Sequence, residues 1–499
     1  MLIQPTGREV VLRSIAPPAE GLVLVALTHV FENVPGMASY FGRQAGMFNL
    51  RKLDLTAMPV SEPICAGNVH YARQTEVEDV VSAVKSFPVD PKPTTFTSYK
   101  QYHEAYVSKQ TTPVKVMEHL LAMVDKAQQA KTRPLNALKP IDRADVLRQA
   151  KESTERYEAG RSLSVMDGVP VVFKDEVDVA GHESNRGTSF IGAGKKVTKD
   201  AEVVRRFRSC GAIIVGKTIM HELGWDSTSI NPHFGTPSNP YNPYHSAGGS
   251  SGGSSAAVCA GLVPIANTLK LLRIVRIEGD LWSNLDGWIR YGFAVIVQKM
   301  QWSLMRCLVD CACFTTSVLG PIACSANDMI LGYRIMAGRD PEDESTWIQP
   351  PVSLATVHQT RDLSDVTIGV FSDWIAQVQN PDILPLMEKF MEALQARGAT
   401  FVEIEIPDLE QARIAHAILF SSELYCGMLP FGAEGRRKLT YPNRILMRMF
   451  DEIKHEDIVR SNQIRGVMIR HLRRLFRPEG TSKKIDFIIT PTTAITAPP

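Results

Sequence analysis

The sequence predicts an α/β protein with a central mixed β-sheet covered by helices on both faces. Three observations carry this. Apolar, partly β-branched runs of strand length alternate with segments of helical period. Glycine closes helical segments at Gly160, Gly211 and Gly398, each ahead of further structure. No repeat of roughly 20–50 residues is visible, which excludes a solenoid.

Residues 1–95 read as an N-terminal extension, helical or irregular and punctuated by proline. Within it, "GLVLVALTHVF" (Gly21–Phe31) is apolar. It falls well short of the roughly 18 residues that span a membrane, so a core helix is expected, with contact to a membrane surface as the alternative. "SFPVDPKPTTFTS" (Ser86–Ser98) reads as a linker or irregular strap. Elements sharpen after it. Thr112 and Pro113 provide an N-cap and a first helical residue, and Met117, Leu120, Leu121 and Val124 then recur at helical spacing. A second helix around "ADVLRQAKESTERYEAG" ends at Gly160. Pro170–Phe173 is expected to be a buried strand. In "KDAEVVRRFRSCGAIIVGKT", Asp200 is the expected cap, Val203, Val204 and Phe207 the buried face, Gly211 the stop and "AIIV" the next strand. Val366–Phe371, Thr400–Ile406 and "KIDFIITPTT" supply further strands, with a helix over "DILPLMEKFMEALQ".

Composition narrows function. The chain has 499 residues, 44% hydrophobic and 22% charged, enough for a large core. A net charge of +2 gives no reason to expect nucleic acid as a partner. Cys65, Cys210, Cys259, Cys324 and Cys426 stand alone and read as buried, reduced thiols. Cys307, Cys311 and Cys313 cluster, but neither histidine nor a second cysteine pair flanks them at zinc spacing, so no metal is expected. The first residues lack a basic stretch followed by an apolar one. A cytoplasmic or peripherally membrane-associated protein, not a secreted one, is therefore expected.

Two features carry chemistry. "HSAGGSSGGSSAAVCAGLVPIA" (His245–Ala266) is glycine–serine-rich, yet it runs straight into a small-residue segment that packs closely rather than joining two separate pieces. A glycine-rich turn feeding a helix exposes backbone N–H groups. Lys174 ends an apolar strand. A surface lysine is the ordinary reading of that position, but a lysine shielded from water can work as a neutral base, and serine–lysine pairs activate weak hydroxyl nucleophiles.

The segments "GVPVVFKDEVDVAG", "GAIIVGKTIMHELGWDSTSINPHFGTPSNPYNPYHSAGGSSGGSSAAVCAGLVPIA" and "KIDFIITPTTAITAPP" together closely resemble the amidase signature family. Within it, "TTPVKVMEHLL", "VMDGVPVVFKDEVD" and "IITPTTAITAPP" most resemble the plant-type fatty acid amide hydrolases. The resemblance implies a signature domain over residues 96–499 and no cofactor. It implies hydrolysis of a linear amide bond, of a fatty acid amide or N-acylethanolamine, by a Ser-Ser-Lys triad. Lys174 matches the family's base, and Ser250 the bridging serine on a cis peptide. Implied partners are a small lipid amide, a membrane met peripherally and a second copy of the chain as a homodimer.

The same resemblance exposes defects. Counted in the family's spacing from Ser250, the nucleophile's register falls on Ile274, and Val275–Ile277 fit the tail that follows it. Leu269–Arg273 stand where threonine, aspartate and the oxyanion-hole glycines belong. The pattern is disrupted over about 267–313 and resumes at "LGPIACSANDMILGYRIMAGRDPED", where Ser325 is expected to cap a helix with Asp328 at the capping-box position. The family's pattern also continues beyond Pro499, so the domain reads as truncated at its C-terminal end. A shifted reading frame or retained intron in an active amidase explains the bounded block. A catalytically dead amidase-fold chain is the alternative. Ser251, Ser283 and Thr315 are weak substitute nucleophiles, since none has the glycine frame. The amidase component of a tRNA-dependent amidotransferase shares some of these segments, but the N-terminal extension and balanced charge disfavour it. His221 and Glu222 are equally readable as structural or as channel residues. Trp225 is expected in the core, His245 at the surface, and Arg470–Pro478 on a solvated helix face.

Overall fold

A computed structural model describes residues 20–55, 58, 98–130, 133–270, 293–297, 316, 318–343, 346, 362–476, 484–491, 495 and 497. Cys65, the cysteine trio, Ser283, Thr315, Ile274 and nearly all of the Ser86–Ser98 strap lie outside these residues.

Among the described residues, the α-helices of eight or more residues are α1 (Gly21–Asn33), α2 (Met37–Gln44), α3 (Tyr99–Val107), α4 (Pro113–Gln128), α5 (Arg143–Glu158), α6 (Glu202–Ser209), α7 (Gly252–Cys259), α8 (Ala326–Met336), α9 (Ile383–Gln395), α10 (Leu409–Met428), α11 (Tyr441–Phe450) and α12 (His455–Phe476). The strands are β1 (Pro170–Lys174), β2 (Ile213–Thr218), β3 (Ile265–Lys270), β4 (Phe293–Val297), β5 (Val318–Ala323), β6 (Thr367–Val370), β7 (Thr400–Glu403) and β8 (Phe487–Pro491). The mixed α/β class follows directly, and the strands pair in two four-stranded groups, β2-β1-β3-β5 and β4-β8-β6-β7. In the first, β1 is parallel to both neighbours and β5 is antiparallel to β3. In the second, β6 is parallel to β7 and β8, while β4 is antiparallel to β8.

The first group is buried on both sides, which is why its strands read as unbroken apolar runs. Val171, Phe173, Ile214 and Ile265 face one layer, filled by the tyrosines of α3, by Val203, Val204 and Phe207 of α6 and by Leu331 and Ile335 of α8. Val172, Ile213, Val215 and Ala266 face the other, filled by α4, α5 and α7. Side-chain alternation along each strand produces the two layers. In α4 the Thr112 hydroxyl accepts from Lys115 N at 3.3 Å, and all four expected apolar residues are buried.

The N-terminal segment is strapped to the C-terminal helices. Arg444 grips Glu32 with two nitrogens at 2.8 and 2.5 Å, and Arg51 grips Asp457 at 2.7 and 2.5 Å. Arg460 bonds the carbonyls of Leu50 and Leu53. The helix over Gly21–Asn33 is therefore a surface element rather than a core helix. Phe31 is buried against α11, whereas Leu22 and Val23 are 86% and 62% exposed. The helical stretch Leu409–Arg437, which begins with α10, is apolar and long enough to span a membrane, but Ile414, Ile418, Leu419 and Leu424 are buried among its neighbours.

Three local readings change. Ala201, not Asp200, occupies the α6 N-cap. The Asp200 carboxylate instead accepts from Ala180 N and from Arg208 Nε, because these donors lie across the turn it closes. At α8, Ser325 accepts from Asp328 N at 3.1 Å as expected, but Asp328 Oδ1 accepts from Tyr99 N at 2.8 Å, joining α3 to α8 instead of completing a box. Cys426 is exposed, on the outer face of α10, while Cys210, Cys259 and Cys324 are buried.

Candidate active site

The glycine–serine run is packed interior, not a tether. Residues 251–258 are all buried. Gly249 and Gly253 are glycine because other backbone lies against them. A Cβ at Gly249 would stand 2.6 Å from Ser229 N, and one at Gly253 would stand 2.5 Å from the Ala137 carbonyl oxygen. Ser229 adopts φ 54°, and in that conformation its hydroxyl accepts from Gly252 N at 2.8 Å. The loop is also stitched to the end of β2. Gly253 N donates to the Ile219 carbonyl and His221 N to the Ser250 carbonyl, each at 3.0 Å.

This frame sets Ser250 over the end of β1. The Gly249–Ser250 peptide is cis. Lys174 Nζ donates to Ser250 Oγ at 2.8 Å, and Lys174 is 1% exposed. Glu176, two residues on, places Oε1 2.9 Å from the same ammonium, at an angle that leaves Oε1 paired by charge without a hydrogen bond. A buried lysine thus has one hydroxyl and one carboxylate within reach. Glu176 escaped the sequence reading, although its position in "KDE" beside a strand-end lysine is a visible signal.

A second ionic cluster fixes the neighbouring backbone. The Asp175 carboxylate accepts from Lys139 Nζ at 2.9 Å and from Gly187 N at 3.0 Å. Lys217 Nζ donates to the Asp175 carbonyl and to Ser184 Oγ, each at 3.1 Å. These bonds hold the 183–187 loop against the strand ends that carry Lys174. Ser251 is fully buried, and its hydroxyl has no hydrogen-bond partner among the described residues. Ser254 is committed to Thr218 at 2.7 Å.

The flanking residues also find their places. Glu222 is fully buried and accepts from Thr440 N, Thr440 Oγ1 and Asn443 Nδ2 at 2.8, 2.6 and 2.8 Å, with His233 Nε2 at 3.0 Å. Burial holds the His221 imidazole below its ordinary range, and its Nδ1 has no hydrogen-bond partner among the described residues. Trp225 stacks on Phe420 at 4.7 Å and meets Phe450 at 4.8 Å, inside the aromatic cluster under α1 and α11. His245 is half-buried, and its Nδ1 lies 2.6 Å from the Ala497 carbonyl. No group of three or more metal-ligating side chains occurs among the described residues.

Comparison with known proteins gives a consistent picture. The family model described as Amidase matches residues 118–268 and 304–499. The fatty acid amide hydrolase of Medicago truncatula is 33% identical over 404 residues, covering 80% of this chain and 64% of that protein. The fatty acid amide hydrolase of Arabidopsis thaliana is 32% identical, with the same coverage. The chain thus spans a little under two thirds of the length of these curated relatives. A mitochondrial glutamyl-tRNA(Gln) amidotransferase component of Bos taurus is 27% identical, covering 78% of each chain. Among solved structures, the native peptide amidase of Stenotrophomonas maltophilia superposes with a TM-score of 0.63 at 21% identity, covering 78% of this chain and 81% of that one. A bacterial aryl acylamidase of the amidase signature family gives 0.61 at 20% identity, covering 76% and 79%. With the family model matching more than half of its length and the same mixed α/β fold in these structures, the chain belongs to the amidase signature family.

Proposed function

We propose that this chain carries the proton-relay half of a fatty acid amide hydrolase. The observation that carries the reading is the 2.8 Å bond between the buried Lys174 Nζ and the half-buried Ser250 Oγ. Once the Lys174 ammonium has given a proton to solvent, its nitrogen accepts the Ser250 proton while Ser250 Oγ takes one from an attacking hydroxyl. The hydroxyl oxygen adds to the amide carbonyl, and the proton then returns through Ser250 to the departing amine. Water completes the cycle by hydrolysing the acyl-enzyme. The family's spacing puts Ile274 in the attacking register, so the chain with Ile274 hydrolyses no amide. The chain acquires activity once the family pattern is restored across 267–313, with Gly-Gly-Ser ahead of Val275-Arg276-Ile277.

The fatty-amide substrate class is supported by identity to two plant fatty acid amide hydrolases that exceeds identity to the amidotransferase component. The exposed Leu22, Val23 and Val25 of α1 support a peripheral membrane contact through which such a substrate would arrive. The test compares two reactions of a chain whose 267–313 block is rebuilt on the family pattern, Leu272→Gly, Arg273→Gly and Ile274→Ser included. Release of ethanolamine from a long-chain N-acylethanolamine is expected. Ammonia release from glutamine without acylethanolamine hydrolysis would reverse the substrate assignment.

A further inference from the structure

The turn 221–224 touches the relay. His221 N holds the Ser250 carbonyl at 3.0 Å. A Cβ placed on Gly224 would lie 3.7 Å from Ser250 Oγ and 3.6 Å from Glu176 Oε2, so the turn's backbone packs directly on the groups that surround Lys174. The turn is locally unfavourable: Leu223 and Gly224 both take positive φ, 57° and 72°. A non-glycine residue in that region is strained and persists only where its surroundings impose it.

Two sets of bonds hold it there: Leu223 N donates to the Arg186 carbonyl at 2.8 Å, and the Glu222 side chain reaches across to α11. The Glu222 carboxylate is turned toward α11, and its Oε2 accepts from three donors at that helix's N-terminus, Thr440 N, Thr440 Oγ1 and Asn443 Nδ2. Asn443 Nδ2 also reaches the Glu222 carbonyl at 3.2 Å, and Oε1 faces His233. Helix α11 is in turn held to the N-terminal segment by the Arg444–Glu32 fork, and Phe450 near its other end abuts Trp225. The clamp therefore runs from the N-terminal helices, through α11, to the turn that shapes Ser250.

We propose that Glu222 is a positioning residue for the Lys174–Ser250 relay, acting by clamping turn 221–224 to the N-terminus of α11. The catalytic part of this inference rests on the amide-hydrolase reading; the clamp itself does not. The test uses Glu222→Ala, Glu222→Gln and the milder Thr440→Val, which removes only the 2.6 Å hydroxyl bond.

Hydrogen exchange read by mass spectrometry reports the clamp without turnover. Glu222→Ala is expected to raise exchange tenfold or more in peptides spanning 219–226 and 440–444, with α4 unchanged, and Glu222→Gln to restore most of the protection. In the chain with Gly-Gly-Ser restored, Glu222→Ala is expected to lower kcat at least tenfold with KM within twofold, with partial recovery in Glu222→Gln. If Glu222→Ala does not fold, Thr440→Val is expected to give the same pattern at about threefold. Exchange that rises equally in α4, or an unchanged kcat, overturns the proposal. Absence of turnover in every chain, with the exchange pattern intact, refutes the amide-hydrolase reading and leaves the clamp standing.

Discussion

Replacing Gly253 by alanine tests whether the glycine–serine run is packed structure. Gly253 is the second residue of α7, with its N–H bonded to the Ile219 carbonyl. An alanine Cβ would stand 2.5 Å from the Ala137 carbonyl oxygen and 2.7 Å from Ile219 N, and closer still to the Ile219 carbonyl. All three obstacles are backbone, and Ile219 N and the Ala137 carbonyl bond each other at 3.0 Å, so neither can step aside alone. Overpacking of this kind costs about 3 kcal/mol, the upper end of the usual range, and alanine's better helix propensity returns about 1 kcal/mol. The expected net loss is about 2 kcal/mol, accompanied by displacement of Ser250 three residues upstream. Gly261→Ala is the control. Gly261 has φ 71° with nothing near its Cβ, so only the backbone penalty of about 1 kcal/mol applies. Urea unfolding followed by tryptophan fluorescence ranks the two. A Gly253→Ala protein as stable as wild type, or more stable than Gly261→Ala, would refute the packed reading and return the run to a linker.

Other expectations follow from charge and register. Burial pushes the Asp328 carboxyl up to about 6 from an ordinary 3.8, so the folded state binds more protons between those values. Its stabilising contribution, about 3 kcal/mol, is full below pH 4 and is lost as pH rises through 6. Burial pushes His416 down to about 4, which gives the opposite slope, with stability lost as pH falls from 6.5 to 4. Asp328→Asn should therefore unmask a stability that rises with pH across this window in a series of urea midpoints, and a flat profile would contradict the opposition. Glu176→Ala leaves the buried Lys174 without its carboxylate and should cost about 3–5 kcal/mol in the same assay; a loss under about 1 kcal/mol would mean the pair is not buried as described. Sequencing the transcript across residues 260–320 should restore Gly-Gly-Ser ahead of Val-Arg-Ile; a transcript encoding Ile274 would favour a catalytically dead chain.

Much of the fold was readable because its signals are local. The Thr112–Pro113 helix start, the apolar strand ahead of Lys174 and the glycine stops each depend on a few adjacent residues. Strand Thr400–Ile406 was expected to be longer than β7, which ends at Glu403, because pairing with β6 rather than alternation sets its length. What sequence reasoning missed was long-range. Nothing near Asp200 announces Ala180 as its partner, and nothing near Glu222 announces Thr440 and Asn443. Gly21–Phe31 looked like core because its composition is apolar, yet only one side of that helix meets α11. At the site, Lys174 and Ser250 were found through motif resemblance, whereas Ser229 carried no signal beyond its letter. Its contribution is a backbone conformation that only the folded loop displays.

The most direct test measures acylethanolamine hydrolysis by four purified chains: the one with Ile274, the one with Gly-Gly-Ser restored, and the latter carrying Lys174→Ala or Ser250→Ala. No turnover is expected from the Ile274 chain, and clear turnover from the restored chain. Either relay substitution should reduce that turnover by at least about 100-fold. Turnover in the restored chain that survives both Lys174→Ala and Ser250→Ala would contradict the relay assigned to this pair.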